Sequence, residues 1–398
     1  MPRTLHSTAA VIDRAYLVAA DLQGSLLSAA ESLAELAELA RTAGAEVVGR
    51  TTQRLVHPAV ATYIGSGKVD EVKAAAEELG ANVVIFDDEL APSQQRNLEK
   101  ALGAKVIDRT ALILDIFATR AHTREGRLQV ALAQMQYLLP RLAGQWSHLE
   151  RMEGAIGTRG PGETQIETDR RLINSRISRI KVELEDVRTQ RALYRRRRER
   201  NGIPVVALVG YTNAGKSTLM RALSGADVLA ENKLFATLDP VTRRLRLTTG
   251  EVVLLTDTVG FIQKLPTDLV AAFRATLEEL AEADLLLHVI DISHPNAFEQ
   301  TQAVDTTLAD LGAGERLRLL ALNKVDLLRN EDGGRVANYD EARVAIHGAG
   351  APPRNVVLVS AQKRWGLRTV LDRIADALDG GLEQLEFSAA DLLAPAFE

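Results

Sequence analysis

Residues 210–217 read Gly-Tyr-Thr-Asn-Ala-Gly-Lys-Ser and directly follow the apolar run Val205–Val209. A strand that ends in G-x-x-x-x-G-K-[ST] and continues into a helix has few folds open to it, because the loop must turn tightly with its amides facing inward. Gly210 and Gly215 permit that turn. The amides of Tyr211, Thr212, Asn213, Ala214 and Gly215 can then point at phosphate oxygens. Lys216 adds a positive charge for β- and γ-phosphates, and Ser217 offers a hydroxyl to Mg²⁺. Thr218 continues the helix, whose positive dipole end faces the anion. A glycine-rich turn without a ligand is the bland alternative, and the motifs downstream weigh against it.

The run Val252–Leu255 ends in Thr256-Asp257-Thr258-Val259-Gly260. A carboxylate at the end of a second apolar strand is where Mg²⁺ is held, directly or through water. Gly260 can set its N–H against the γ-phosphate. Between these motifs lies Leu234–Pro240, in which Thr237 is expected to close over Mg²⁺ in the triphosphate state, with Thr242 second. Catalysis is therefore expected of Lys216, Thr237 and Gly260, and the metal set is Ser217, Thr237 and Asp257. Asn323-Lys324-Val325-Asp326 follows a third apolar strand. Asp326 can accept from the N1–H and exocyclic amine of guanine, which adenine does not present together. Asn323 supports the loop and base edge, and the Lys324 stem covers the ring. Ser360 and Ala361, after the last strand, are expected to offer a backbone N–H to guanine O6. GTP is the expected nucleotide.

The chain of 398 residues has room for two to three domains. It has no cysteine, which removes disulfides, thiolate nucleophiles and thiolate metal sites. Its seven histidines form no ligand pair. No signal-peptide core and no apolar run of about 20 residues is visible, so a cytoplasmic place without a membrane span is expected, peripheral attachment being left open. Net charge is −5, yet twelve basic and four acidic residues lie between Arg170 and Arg200. Such a stretch in an acidic chain suggests a localised contact with a polyanion; a solvated arginine-rich helix face is the alternative.

Residues 1–120 alternate β-rich runs (Ala15–Ala20, Glu46–Gly49, Asn82–Phe86, Lys105–Ile107) with helical stretches such as Ser25–Ala43 and Lys68–Leu79. This predicts a small parallel α/β domain. Over 121–200 two apolar series recur at heptad-like spacing. The first is Leu128, Leu132, Met135, Leu139, Leu142, Trp146 and Leu149; the second is Ile173, Ile177, Ile180, Leu184, Val187 and Tyr194, interrupted by Arg191. They predict an antiparallel helical hairpin joined by the glycine-rich loop Gly154–Glu163, with Pro140 breaking the first helix. From 201 to 380, strands at Val205–Val209, Val252–Leu255, Leu285–Ile290, Arg318–Leu322 and Val356–Val359 predict a doubly wound sheet with nucleotide at its carboxyl edge. Residues 381–398 read as a short extension with room for an appended helix. The fold class is α/β: a small parallel domain with a long hairpin, then a P-loop domain.

The five nucleotide elements, in this order, resemble those of a Ras-like GTPase domain. The residue after Gly260 is Phe261, where Ras-like switches carry a water-orienting glutamine. Asn213 resembles the asparagine that binds K⁺ in a subset of bacterial GTPases. Together with Gly157–Arg171, Tyr63–Val69 and Asp108–His122, the motifs look like the HflX family of bacterial GTPases. The resemblance implies a monomeric factor that binds the large ribosomal subunit and splits stalled or stressed ribosomes. It implies rRNA contacts by the hairpin, here Arg159, Gly160, Pro161, Gly162, Arg170, Arg171, Arg195, Arg196, Arg197 and Arg198. A large-subunit assembly GTPase and a switch with a non-ribosomal protein partner stay open. The family's reported ATP binding points to Tyr63–Lys68, where a tight strand-to-helix turn is the preferred reading.

Overall fold

The computed structural model describes residues 12–24, 26–142, 161–200, 202–225, 234–235, 237–264, 280, 282–330, 333–347 and 353–381. Contacts divide the chain into two compact units: Met1–Ile116 with Gln136–Leu172, and Phe117–Met135 with Ile173–Glu398.

In the first unit four parallel strands lie in the order β2-β1-β3-β4. They are β1 (Arg14–Leu22), β2 (Glu46–Leu55), β3 (Val83–Phe86) and β4 (Lys105–Asp108). Residues 15–20 of β1 are all buried, as expected of a central strand covered on both faces. β2 continues six residues beyond the predicted Gly49. Its second half is polar and reads as a loop, but at the sheet edge it pairs with β1 through Leu55. Helix α1 (Ala29–Thr42) begins later than the predicted Ser25 because Ser28 caps it. The Ser28 hydroxyl accepts from Glu31 N–H while the Glu31 carboxylate accepts from Ser28 N–H, a capping box. Helices α2 (Ser66–Glu78), α3 (Pro92–Leu102) and α4 (Arg109–Arg120) follow. The turn at Tyr63–Lys68 leads straight into α2, and Lys68 pairs with Glu71 of the same helix.

In the second unit six strands are ordered β10-β9-β8-β5-β7-β6. They are β5 (Val205–Val209), β6 (Val241–Arg246), β7 (Val252–Asp257), β8 (Leu285–Asp291), β9 (Arg318–Asn323) and β10 (Val356–Leu358). All pairs are parallel except β6 with β7. The sequence reading does not anticipate β6. Val-Thr-Arg-Arg-Leu-Arg has a single deeply buried residue, Leu245, and forms a strand as the sheet's solvated edge. One face of the sheet buries Val206, Leu208, Leu255, Leu285 and Leu287; another cluster gathers Ile290, Leu320, Leu322 and Val325.

The helices here are α5 (Arg124–Leu138), α6 (Pro161–Arg200), α7 (Lys216–Ser224), α8 (Ala297–Asp310), α9 (Tyr339–His347) and α10 (Leu367–Leu378). α5 stops two residues before Pro140, consistent with the restriction proline places on its predecessor. Along α6, Ile177 and Ile180 are buried and Ile173, Leu184 and Val187 half-buried, which is the predicted seam. Arg191, the charged interruption, pairs at 2.7 Å with the buried Glu125 of α5. One expectation changes. The glycine-rich segment is not a loop as far as Glu163: α6 begins at Pro161, whose fixed φ and missing N–H suit a first helical position. By its contacts Phe117 groups with the second unit, where its ring stacks edge-on against Phe235, centroids 4.7 Å apart. Residues 154–160 and the predicted extension from 382 lie outside the described residues.

A buried charge cluster orders the first unit. The Arg109 guanidinium donates to Asp87 through Nε (3.1 Å) and a terminal nitrogen (2.8 Å), and its other terminal nitrogen donates to Glu35. Asp87 also accepts from the Ser32 hydroxyl at 2.6 Å. Arg109→Met removes the guanidinium that pairs with the buried Asp87 carboxylate, which should destabilise the unit by about 3–5 kcal/mol. Denaturant unfolding of the variant checks this; a loss below about 1 kcal/mol, the range of surface pairs, would contradict it.

Candidate nucleotide site

β5 delivers the loop at its carboxyl end. Gly210 has φ 143°, and a Cβ there would sit 2.2 Å from the Val289 carbonyl oxygen of β8. Gly215, at φ 98°, would place one 2.3 Å from the Asn323 amide nitrogen. Both positions admit only glycine, so the loop lies closer to β8 and to Asn323 than any side chain allows. α7 starts at Lys216, turning its first amides toward the loop. Asn213 is exposed at the crest with φ 61°, and Tyr211, Thr212 and Ala214 are buried. Thr218 is half-buried on α7.

Lys216 is buried, and its ammonium donates to the carbonyls of Gly210 (2.9 Å) and Tyr211 (2.8 Å). Burial lowers its pKa to about 8, with Asp257 pulling the other way. Three oxygens converge beside it. Ser217 Oγ donates to Asp257 Oδ2 at 2.6 Å, Thr237 Oγ1 donates to the same oxygen at 3.0 Å, and the two hydroxyls are 2.9 Å apart. The edge of an octahedron with metal–oxygen bonds of 2.0–2.1 Å is about 2.9 Å, so this set fits Mg²⁺. The second Asp257 oxygen is buried without a hydrogen-bond partner. Burial pushes the Asp257 carboxyl above its ordinary value, against the hydrogen bonds and Lys216. A cation there would reverse that balance. Thr242, the second candidate, instead meets Thr256 at 3.0 Å between β6 and β7.

Gly260 lies directly against the loop: a Cβ would fall 2.9 Å from Lys216 Nζ and from Thr212 Cα. Phe261 N–H donates to the Gly210 carbonyl (3.1 Å), and Thr212 N–H donates to the Phe261 carbonyl (2.7 Å). The Phe261 side chain is 2 % exposed. The Tyr211 hydroxyl accepts from Gln263 N–H at 2.9 Å and fastens the next residues.

The base side of the site is built on Asn323, at the end of β9. Its amide donates to the Ala214 carbonyl (2.8 Å), and its oxygen accepts from Ala361 N–H (3.1 Å). Asn323 is thus a buried strut between the phosphate loop and the 360–361 turn. The Ala361 amide, expected to face guanine O6, pairs within the protein here. Ser360 is buried and accepts from Lys363 N–H. Lys324 has φ 64°, and its ammonium meets Asp291 at 2.7 Å. Asp326 stands in the short turn Val325–Leu327. Sequence reasoning misses Asp291, because no fixed spacing links the end of β8 to Lys324.

Of the expected polyanion contacts, Arg159 and Gly160 lie outside the described residues. Pro161 and Gly162 open α6, Arg170 and Arg171 are exposed on it, and Arg195, Arg196, Arg197 and Arg198 lie in its last turns. Arg176, Arg179, Lys181 and Arg188 are exposed as well. Among the described residues, no helix is long and apolar enough to cross a membrane.

Known proteins share this arrangement. A family model described as "GTP-binding GTPase N-terminal" matches residues 30–118, and "GTP-binding GTPase Middle Region" matches 120–198. A third, "50S ribosome-binding GTPase", matches 205–324. The chain is 52% identical over 357 residues to the GTPase HflX of Caldanaerobacter subterraneus subsp. tengcongensis, covering 90% of this chain and 79% of that one. It is 46% identical over 354 residues to the GTPase HflX of Escherichia coli K12, covering 89% and 80%. Among solved structures, a GTP-binding protein from Sulfolobus solfataricus in complex with GDP is 24% identical, with a TM-score of 0.45, covering 93% of this chain and 100% of that one.

Asp326→Asn tests the base assignment. An amide presents a donor where guanine N1–H and its amine need acceptors, and xanthine offers a carbonyl instead of that amine. Two charge-assisted hydrogen bonds are lost, so guanine nucleotide affinity should fall roughly 100-fold or more while xanthine nucleotide affinity rises. Equilibrium binding of both nucleotides to the variant checks the exchange.

Proposed function

This chain belongs to the HflX family of GTPases, and from that premise we propose that it couples GTP hydrolysis to a contact with the large ribosomal subunit, splitting stalled ribosomes into subunits. The observation that carries the reading is the pairing of a guanine nucleotide site with a 40-residue helix, α6, whose described face exposes Arg170, Arg171, Arg176, Arg179, Lys181 and Arg188. A run of exposed cationic side chains along one helix suits the phosphate backbone of a folded RNA. The match of residues 205–324 to a model described as a 50S ribosome-binding GTPase supports the same partner.

The chemistry follows from the residues in place. Lys216 and the amides of 211–215 hold the β- and γ-phosphates, Ser217, Thr237 and Asp257 hold Mg²⁺, and the ion supplies charge neutralisation on the phosphates. Gly260 brings its N–H to the γ-phosphate. Phe261 cannot orient the attacking water, and its side chain is buried in the protein. Water must then be positioned by something else, and the ribosome is the proposed source. In the triphosphate state Thr237 and Gly260 are held and the factor stays bound; hydrolysis frees both and lets it leave.

Incubating intact ribosomes with the protein and a non-hydrolysable GTP analogue should convert them to separate subunits on a sucrose gradient. Persistence of intact particles would overturn the reading. Asn213, at the loop crest, is the proposed K⁺ ligand, adding positive charge near the β–γ bridging oxygen. Hydrolysis should be faster in K⁺ than in Na⁺ buffer, and equal rates remove that ion.

A further inference from the structure

The segment that carries Thr237 is fastened at both ends, and neither fastening belongs to the nucleotide site. On one side the buried Phe235 ring stacks edge-on against Phe117, near the end of α4. On the other, the Asp239 carboxylate meets the two residues that lead into α5. One of its oxygens accepts from the backbone N–H groups of His122 and Thr123, both at 2.8 Å, and the other accepts from the Thr123 hydroxyl. That hydroxyl in turn accepts from Gly126 N–H at 2.9 Å, so Thr123 caps α5 while holding Asp239. Gly126 makes room for the carboxylate: a Cβ there would lie 2.3 Å from Asp239 Oδ1. Thr237 is two residues from Asp239, a reach of about 7 Å at most. Fixing Asp239 therefore leaves Thr237 little freedom in where it meets Ser217 and Asp257.

We propose that Asp239 is a positioning residue for GTP hydrolysis: His122 and Thr123, which lead into α5, grip its carboxylate and thereby set where Thr237 stands over the phosphate loop. Three acceptor bonds from two amides and a hydroxyl, at the positive end of a helix dipole, make the grip both directional and strong. The coupling is reciprocal. A ligand that draws Thr237 inward tightens the cap of α5, and a partner that moves α5 loosens Thr237. This rests on the reading of Thr237 as the residue that closes on the triphosphate.

The experiment compares affinities for GDP and for a non-hydrolysable GTP analogue, together with kcat, in three variants of the full chain. Thr237→Ala tests the underlying reading. Asp239→Ala removes the grip from the strap side. Gly126→Ala displaces the same carboxylate from the helix side; its Cβ would also lie 3.2 Å from the capping Thr123 hydroxyl, while alanine favours a helix over glycine, and far-UV circular dichroism checks that the fold is kept. Asp239→Ala and Gly126→Ala should each lower analogue affinity and kcat by about tenfold, the scale of a charge-assisted hydrogen bond, and leave GDP affinity within about twofold. Combining them should add nothing further, because both break one contact. If Thr237→Ala shifts the ratio of the two affinities and Gly126→Ala leaves it at the wild-type value, the positioning role is overturned. An equal loss of GDP and analogue affinity in Asp239→Ala and Gly126→Ala also overturns it. A wild-type ratio in Thr237→Ala overturns it from beneath, by removing the role of Thr237.

Discussion

Two backbone hydrogen bonds, from Phe261 to the Gly210 carbonyl and from Thr212 to the Phe261 carbonyl, stitch the end of the β7 segment to the phosphate loop. Much of the site follows from that stitch. It presses Gly260 against Lys216 and Thr212, where no side chain fits. It also turns the Phe261 side chain into the interior, 2 % exposed. A residue held this way serves packing and cannot reach water. The pocket therefore carries donors for phosphate, oxygens for a metal and acceptors for guanine, yet nothing at this position that orders the attacking water.

Polar struts brace the rest of the pocket. Asn323 ties the phosphate loop to the 360–361 turn, and Asp291 holds Lys324. Each strut satisfies groups that would otherwise be orphaned on removal from water, which is why such positions tolerate little change. The strap bearing Thr237 differs in that its anchors, Phe117 and the residues that lead into α5, lie outside the sheet. One wall of the pocket is fixed by the P-loop fold, and the other is borrowed from the helical segment.

Much of this is legible in the sequence. β5 can be read to the residue, because a five-residue apolar run before a phosphate loop has one physical reading. Ser217, Thr237 and Asp257 can be named from motif position, and the structure brings their oxygens within 3.0 Å. What escapes is what depends on distant partners. β6 and the second half of β2 are polar edge strands whose pairing, not composition, defines them. Asp239 gives no local signal, since its partners lie 116 and 117 positions away. The tie between Asn323 and the Ala361 amide escapes for a similar reason, since no motif spacing links two positions so far apart.

The central claim is that this site has a complete binding set and an incomplete catalytic one, finished by the large ribosomal subunit. Single-turnover GTP hydrolysis, measured as purified large subunits are titrated against a fixed amount of protein, tests it most directly. The account predicts a low basal rate that rises by orders of magnitude and saturates with subunit concentration. A basal rate that is already high, or one that large subunits leave unchanged, would contradict it.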